Sequence, residues 1–238
     1  MPGVVVNTAV RSAPTTANVS PASTFFVAGT AERGPLDEAV FVTSLAAFEA
    51  TFGEYNASYS LHQQVQTFFE EGGAQAYVVR VSNADSAGSL TLLDGSSASA
   101  LTINAANNGA WSDNVEIAVD ESGGTFTISV YYKTDLVYTS SAQATAGAAA
   151  TEINNSAVAT LYITATATVG NASATLATAA ADALAGGGGD ANAITDQDFV
   201  DSLELFDIAY GAGVVAIPGK NSSTVRDGLL AHAVDHNR

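Results

Sequence analysis

Apolar and polar positions divide the chain into three textures. From residue 24 to residue 81 the apolar residues come in short continuous runs or at helical spacing. Residues 24–29 (TFFVAG) and 76–81 are nearly unbroken apolar runs, the pattern of strands covered on both faces. Between them Leu61, Val65, Phe68 and Phe69 stand at i, i+4, i+7 and i+8, one stripe of a helix. Ser60 is placed to cap that helix, with Gln63 completing a capping box. Gly72 and Gly73 are placed to end it in a left-handed turn. A second helix is predicted from Ser44 as cap to Phe52, with Leu45, Phe48 and Phe52 on one face and Gly53 as its stop. Residues 39–42 read as a short edge strand, and residues 30–35 as a loop with a Gly-Pro turn. Strands alternating with helices in this way imply parallel pairing through right-handed crossovers.

The texture changes near Asp94. Residues 95–190 are rich in Ala, Thr, Ser, Asn and Gly, and helical signals fade. Phe126, Ile128, Val130 and Tyr132 share one face of a strict alternation over residues 125–132. Residues 161–169 alternate too, with Leu161, Ile163, Ala165, Ala167 and Val169 predicted inward and Tyr162, Thr164, Thr166 and Thr168 outward. Residues 115–119 are a third candidate. Period two with one polar face predicts a half-exposed antiparallel sheet. Residues 186–189, four glycines, read as the flexible return to the core. The α/β texture then resumes. Thr195 caps a helix bearing Phe199, Leu203 and Phe206. Residues 213–218 (GVVAIP) read as another buried strand. Ser222 caps a last helix carrying Val225, Leu229 and Ala233. A strand normally follows such a helix, so the core is expected to be completed by a further segment or by another chain.

The predicted fold class is multi-domain α+β. An α/β core, with a parallel or mixed sheet and flanking helices, takes residues 21–94 and 191–238. An inserted, mostly antiparallel β domain takes residues 95–190. Residues 1–20 form an extended arm in which Val4, Val5 and Val6 make a short β-prone run. No amphipathic period follows them. The arm is either a tail without structure of its own or a strand that adds to another subunit's sheet edge.

Composition narrows the function. The 238 residues are 47% hydrophobic, ample for a core, but only 13% charged, about half the usual ~25%. With 24 acids against seven bases the net charge is −17. That argues against nucleic acid, whose phosphates need a basic patch, and against anionic lipid. The absence of cysteine excludes disulfides, zinc–thiolate sites and thiol nucleophiles. No signal-peptide pattern and no run of 18 apolar residues is present, so no membrane insertion is expected. The Asn-x-Ser matches at Asn18, Asn56, Asn154, Asn171 and Asn221 then read as chance.

No stretch meets a catalytic or ligand pattern in full. Gly219-Lys220 lies between a strand and a helix as in a phosphate-binding loop. Val214, however, holds the first glycine's place, and Asn221 replaces the hydroxyl residue. His232 and His236 have zinc-gripping spacing without the glutamate of a metalloprotease, and near a helix end they are expected to be solvated. Asp196, Asp198 and Asp201 suit a helix N-terminus. Trp111 reads as a core anchor beside a turn. Catalytic residues, metal ligands and cofactors are therefore all expected to be absent.

Six stretches, in order, resemble bacteriophage contractile-tail sheath proteins. They are Pro2-Gly3-Val4, GTAERGPL at 29–36, FEATFGEY at 48–55, FFEEGGAQAYVVRV at 68–81, AANNGAWSDNVEIAV at 105–119, and the segment 203–219 ending in GVVAIPG. The family's C-terminal core has no counterpart here. The resemblance implies a structural, non-enzymatic subunit that self-assembles as hexameric rings stacked helically around a tail tube. Baseplate and tail terminator proteins are the other implied partners. Contraction would drive the tube through the host envelope without nucleotide hydrolysis. Val4, Val5 and Val6 would be the arm strand, added to a neighbour's core sheet, and the β domain would face outward. The implied location is the virion tail, after assembly in the host bacterial cytoplasm. The alternatives are the sheath of a phage-derived injection device (secretion system or bacteriocin), a β-rich surface or adhesin-like binding module, and an α/β hydrolase or nucleotide enzyme.

Overall fold

The computed structural model describes residues 24–83, 86–188, 194–236 and 238. Before the insertion come β1 (Thr24–Gly29), β2 (Val40–Val42), α1 (Leu45–Phe52), α2 (Leu61–Glu70) and β3 (Gln75–Arg80). Then follow β4 (Ser89–Leu93), β5 (Ser99–Ala105), β6 (Val115–Ser122), β7 (Thr125–Tyr132) and β8 (Asp135–Thr139). Next are α3 (Ala146–Asn155), β9 (Ile163–Ala167) and β10 (Ala179–Ala183). Last are α4 (Asp196–Asp201), β11 (Val214–Ala216) and α5 (Ser223–His236). Together they make a multi-domain α+β chain with mixed sheets and flanking helices.

The first sheet has the order β11-β1-β3-β2. β1 runs parallel to β3 and β11, with Phe26 opposite Tyr77 on one side and Val215 on the other. β2 closes one edge antiparallel. Because β1 is central, its residues bury on both faces, which is why the sequence shows an unbroken run. Val27 joins Phe48, Phe52, Leu61 and Val65 under α1 and α2. Phe26 and Ala28 join Phe199, Leu203, Phe206, Ile217 and Val225 on the other face. β11 departs from the expectation of a buried strand. It is the sheet's other edge, and Val214 is 50% exposed.

Helix ends follow the sequence at α1 and at the stop of α2. The helix predicted to carry Phe199, Leu203 and Phe206, however, stops at Asp201 and passes into a 3-10 turn at Ser202–Leu205, so Leu203 and Phe206 lie beyond α4. Ser44 Oγ accepts the N–H of Ala47, and Gly53 caps α1 at φ +93°. At α2 the stop is a Schellman motif. The Gly73 N–H donates to Phe68 O (2.8 Å) and the Gly72 N–H to Phe69 O (3.1 Å), with Gly72 at φ +92°. The start differs, because Ser60 and Gln63 form no capping box. Instead Ser60 Oγ accepts the Thr30 N–H (3.1 Å) while the Ser60 N–H donates to Thr30 Oγ1 (3.0 Å). The serine ties the helix to the end of β1 in place of capping its own turn.

The second unit has two antiparallel sheets, β10-β6-β7-β8 and β4-β5-β9. They close around Leu101, Ile103, Ile117, Ile128, Val130 and Ile153. Its first strand starts at Ser89, ahead of the compositional change at Asp94. Ser89 and Ala185 exchange backbone hydrogen bonds (2.9 and 3.1 Å), so the unit's two ends are clasped together. Two expectations fail here. Residues 146–155 form α3, a helix that the fading helical signal concealed. The alternation over 161–169 holds only within β9, since Leu161 sits in a 3-10 turn and Val169 is fully exposed.

Candidate functional site

The two units meet at a joint built largely from cations. Arg80 ends β3 and is 2% exposed. Its Nε donates to Ala31 O (3.2 Å), and its Nη1 to Gly34 O and across the joint to Asn108 O (both 3.0 Å). Gly109 makes the crossing possible. It adopts φ +134°, and a Cβ there would lie 3.0 Å from Arg80 Nη2 and 2.8 Å from Trp111.

Arg33, 3% exposed, lies in the loop after β1. Its Nη2 donates to Glu49 O (3.2 Å) and to Tyr162 Oη (3.3 Å), and its Nη1 to Thr51 O (3.3 Å). The guanidinium stands 4.5 Å above the Tyr162 ring and 5.7 Å from that of Tyr132. A buried cation is tolerable when its nitrogens find acceptors and its face is covered by aromatic rings. Here both Nη atoms are bonded and the two tyrosines cover the face, while Nε has no hydrogen-bond partner. Lys133 then reaches back from the β unit, with Nζ 2.5 Å from Glu32 Oε1 and 5.1 Å from the Tyr132 ring. Burial, followed by the Glu32 carboxylate, pushes the Tyr132 phenol well above the ordinary tyrosine range, so it stays neutral.

Lys133 is held there by an unusual turn. Tyr132 and Asp135 pair in the ladder, leaving Lys133 and Thr134 as a two-residue hairpin loop. Their φ values are +50° and +76°. This matches the turn geometry that Asn-Gly adopts easily. For other residues the left-handed region costs roughly 1–2 kcal/mol each. Beside the turn lies a cleft of about 400 Å³ lined by Glu32, Arg33, Glu49, Tyr132, Lys133 and Tyr162 among others.

The residues singled out by sequence lie elsewhere. Lys220 is 3.6 Å from Asp196 and 4.5 Å above the Phe199 ring, holding α4 to the start of α5 and not framing a phosphate loop. Asp198 closes a capping box with Thr195, whose backbone and side-chain hydrogen bonds lower its pKa. Trp111 is 4% exposed in a 3-10 turn, as expected of a core anchor. The histidine pair is not solvated as expected. His232 is buried, its ring stacks on His236 at 4.1 Å, and Arg238 Nη1 lies 2.7 Å from its Nε2. Burial, then His236 and Arg238, bring its pKa down to about 4. Among the described residues no group of three or more His, Cys, Asp or Glu is arranged to hold a metal ion. No helix among them is long and apolar enough to cross a membrane. Val4, Val5 and Val6 lie outside the described residues.

Sequence reasoning missed Glu32, Arg33, Arg80 and Lys133. One signal was available. In a chain with seven bases, an arginine closing the apolar run of residues 76–80 is conspicuous, and a charge there must find buried partners.

The second feature is the edge at β11. No strand pairs with its outer side among the described residues. Exposed apolar side chains are found at Val214 on this strand, at Ile208 before it, and at Leu230 and Val234, one turn apart on α5.

The fold of this chain, a three-layer α/β core carrying a β unit between β3 and α4, is similar to part of two sheath tail proteins. The sheath tail protein from Listeria innocua superposes with a TM-score of 0.64 at 17% identity, over 88% of this chain and 43% of that one. The sheath tail protein from Desulfitobacterium hafniense gives 0.61 at 15% identity, over 97% of this chain and 49% of that one. The chain therefore spans about half the length of the solved structures it matches. No protein-family model matches it, and no curated protein matches it in sequence.

Proposed function

We propose that this chain is a structural subunit of a contractile phage tail sheath. It would self-assemble as stacked hexameric rings around a tail tube and shorten to drive that tube through the host envelope. The likeness in fold to two sheath tail proteins along nearly the whole chain carries this reading. The role is mechanical and not catalytic, and it asks for no cofactor. The parallel edge at β11, with no strand on its outer side among the described residues, supports it, since such a row of backbone groups is a ready template for a further strand. The arm residues Val4, Val5 and Val6 are the strand assigned to a neighbour's sheet, and the β domain faces outward. Tube, baseplate and tail terminator proteins are the remaining partners. The location is the virion tail, after assembly in the host cytoplasm.

Electron microscopy of the purified full-length gene product tests the proposal. Tubes or stacked rings are the expected result. A monodisperse monomer across concentration and salt would overturn it.

A further inference from the structure

We propose that the β7–β8 hairpin tip is a latch that fixes the orientation of the β unit on the α/β core. Three observations converge on it. The chain passes between the two units twice, before Ser89 and after Ala185, and such a neck alone leaves the β unit free to swing. Against that, three of the chain's seven basic residues lie, among the described residues, at this joint: Arg33, Arg80 and Lys133. In a chain of net charge −17, their concentration where the units touch sets a fixed pattern of donors, from the arginines to backbone carbonyls and Tyr162 and from Lys133 to the Glu32 carboxylate.

The second observation is the turn itself. Lys133 and Thr134 occupy a two-residue loop in left-handed conformation, a place where Asn-Gly is favoured. Strain of this kind persists where the surroundings over-determine it, and it marks positions that work for something other than local stability. Here the strained turn aims the Lys133 ammonium at Glu32 and across the Tyr132 ring. The third observation is that Tyr132, the residue before the hairpin turn, and Tyr162, the turn residue just ahead of β9, flank the same buried guanidinium, Arg33. One core side chain thus engages β7 of one sheet and the turn that leads into β9 of the other, so a rotation of that unit breaks both contacts together. Arg80, bonded to Asn108 O, gives a further fixed point on the loop before Trp111. Three separated contacts define an orientation, which one or two would not. The inference stands independently of the proposed assembly, because it concerns a single chain.

The test uses the absence of native cysteine. Gln64→Cys on α2 and Val169→Cys at the fully exposed turn of the β unit carry a spin-label pair in the full chain. Their distance distribution is read by pulsed dipolar spectroscopy. The unmodified joint is expected to give one narrow peak. Lys133→Asn with Thr134→Gly relieves the turn while removing the ion pair. It is expected to lose the narrow peak without lowering the unfolding temperature, a combination that damage to the hairpin would not produce. Arg33→Gln is expected to broaden the distribution as well. Should Arg33→Gln fail to fold, the turn variant alone decides. A broad distribution in the parent chain, or an unchanged narrow peak in the turn variant, overturns the proposal.

Discussion

His232 has no room for a second charge. It lies edge-on to Phe206, stacked on His236, with the Arg238 guanidinium at its Nε2 and Asp235 nearby as the opposing influence. Its folded pKa of about 4 lies below the ordinary 6.5. Between these values the unfolded chain binds a proton that the folded chain refuses. The imidazole's contribution to stability is therefore full above about pH 6.5 and lost as pH falls toward the folded value. Urea titrations from pH 7.5 to pH 4, intervals chosen around the ordinary histidine range of about 6.5, should show a smaller loss of stability in His232→Gln than in the parent. Parallel curves would refute the assignment. At this scale the sequence was legible wherever a residue acts through its neighbours in the chain, as Ser44 and Thr195 do in capping helices. It was illegible where the partner is distant. Ser60 has the local pattern of a capping box, yet Thr30 takes its side chain. Glu32 and Lys133 are about a hundred residues apart in the chain and share no local signature.

Elements were readable where side-chain period and burial agree. β1, β3, α1 and α2 each carry a run or stripe that one packing solution satisfies. α3 was missed because its buried face is Ala146, Ala149, Ala150 and Ile153. The spacing is helical, but alanines give little contrast against an Ala-rich background. β11 was misread for a different reason. An apolar run shows that a strand is suited to burial, and its neighbours decide whether it is buried. The stop of α2 offers a clean test of element-level reasoning. Gly72 lies at φ +92°, and a Cβ added there would have no atom within 4 Å, so a methyl group meets only backbone strain. Gly72→Ala should cost about 1–2 kcal/mol in chemical denaturation. No measurable loss would mean that the Schellman turn is not a constraint on the native state.

At the scale of the whole molecule, the proposed function assigns stability and assembly to different parts. Among the described residues, the cores on both faces of the first sheet and inside the β unit are filled by side chains from Phe25 onward. If the arm serves assembly alone, as proposed, deleting residues 1–20 from the full-length product should leave the unfolding temperature nearly unchanged while abolishing tubes. Tubes that persist would sink the strand-exchange idea. The division into a core and an inserted β unit was legible because helical period gives way to alternation. Their mutual orientation was not, since the contacts across the joint, of Arg33 with Tyr132 and Tyr162 and of Arg80 with Asn108, are recorded by no periodicity.

The clasp between Ser89 and Ala185 has a consequence of its own. It brings the two ends of about a hundred residues side by side, so the chain enters and leaves the insertion through a single narrow doorway. Evolution can replace what lies beyond that doorway without rethreading the first sheet, as one exchanges the head of a tool and keeps the handle. A substitute lacking counterparts of Lys133 and Tyr162 would leave the handle intact and lose only the angle at which the head is held.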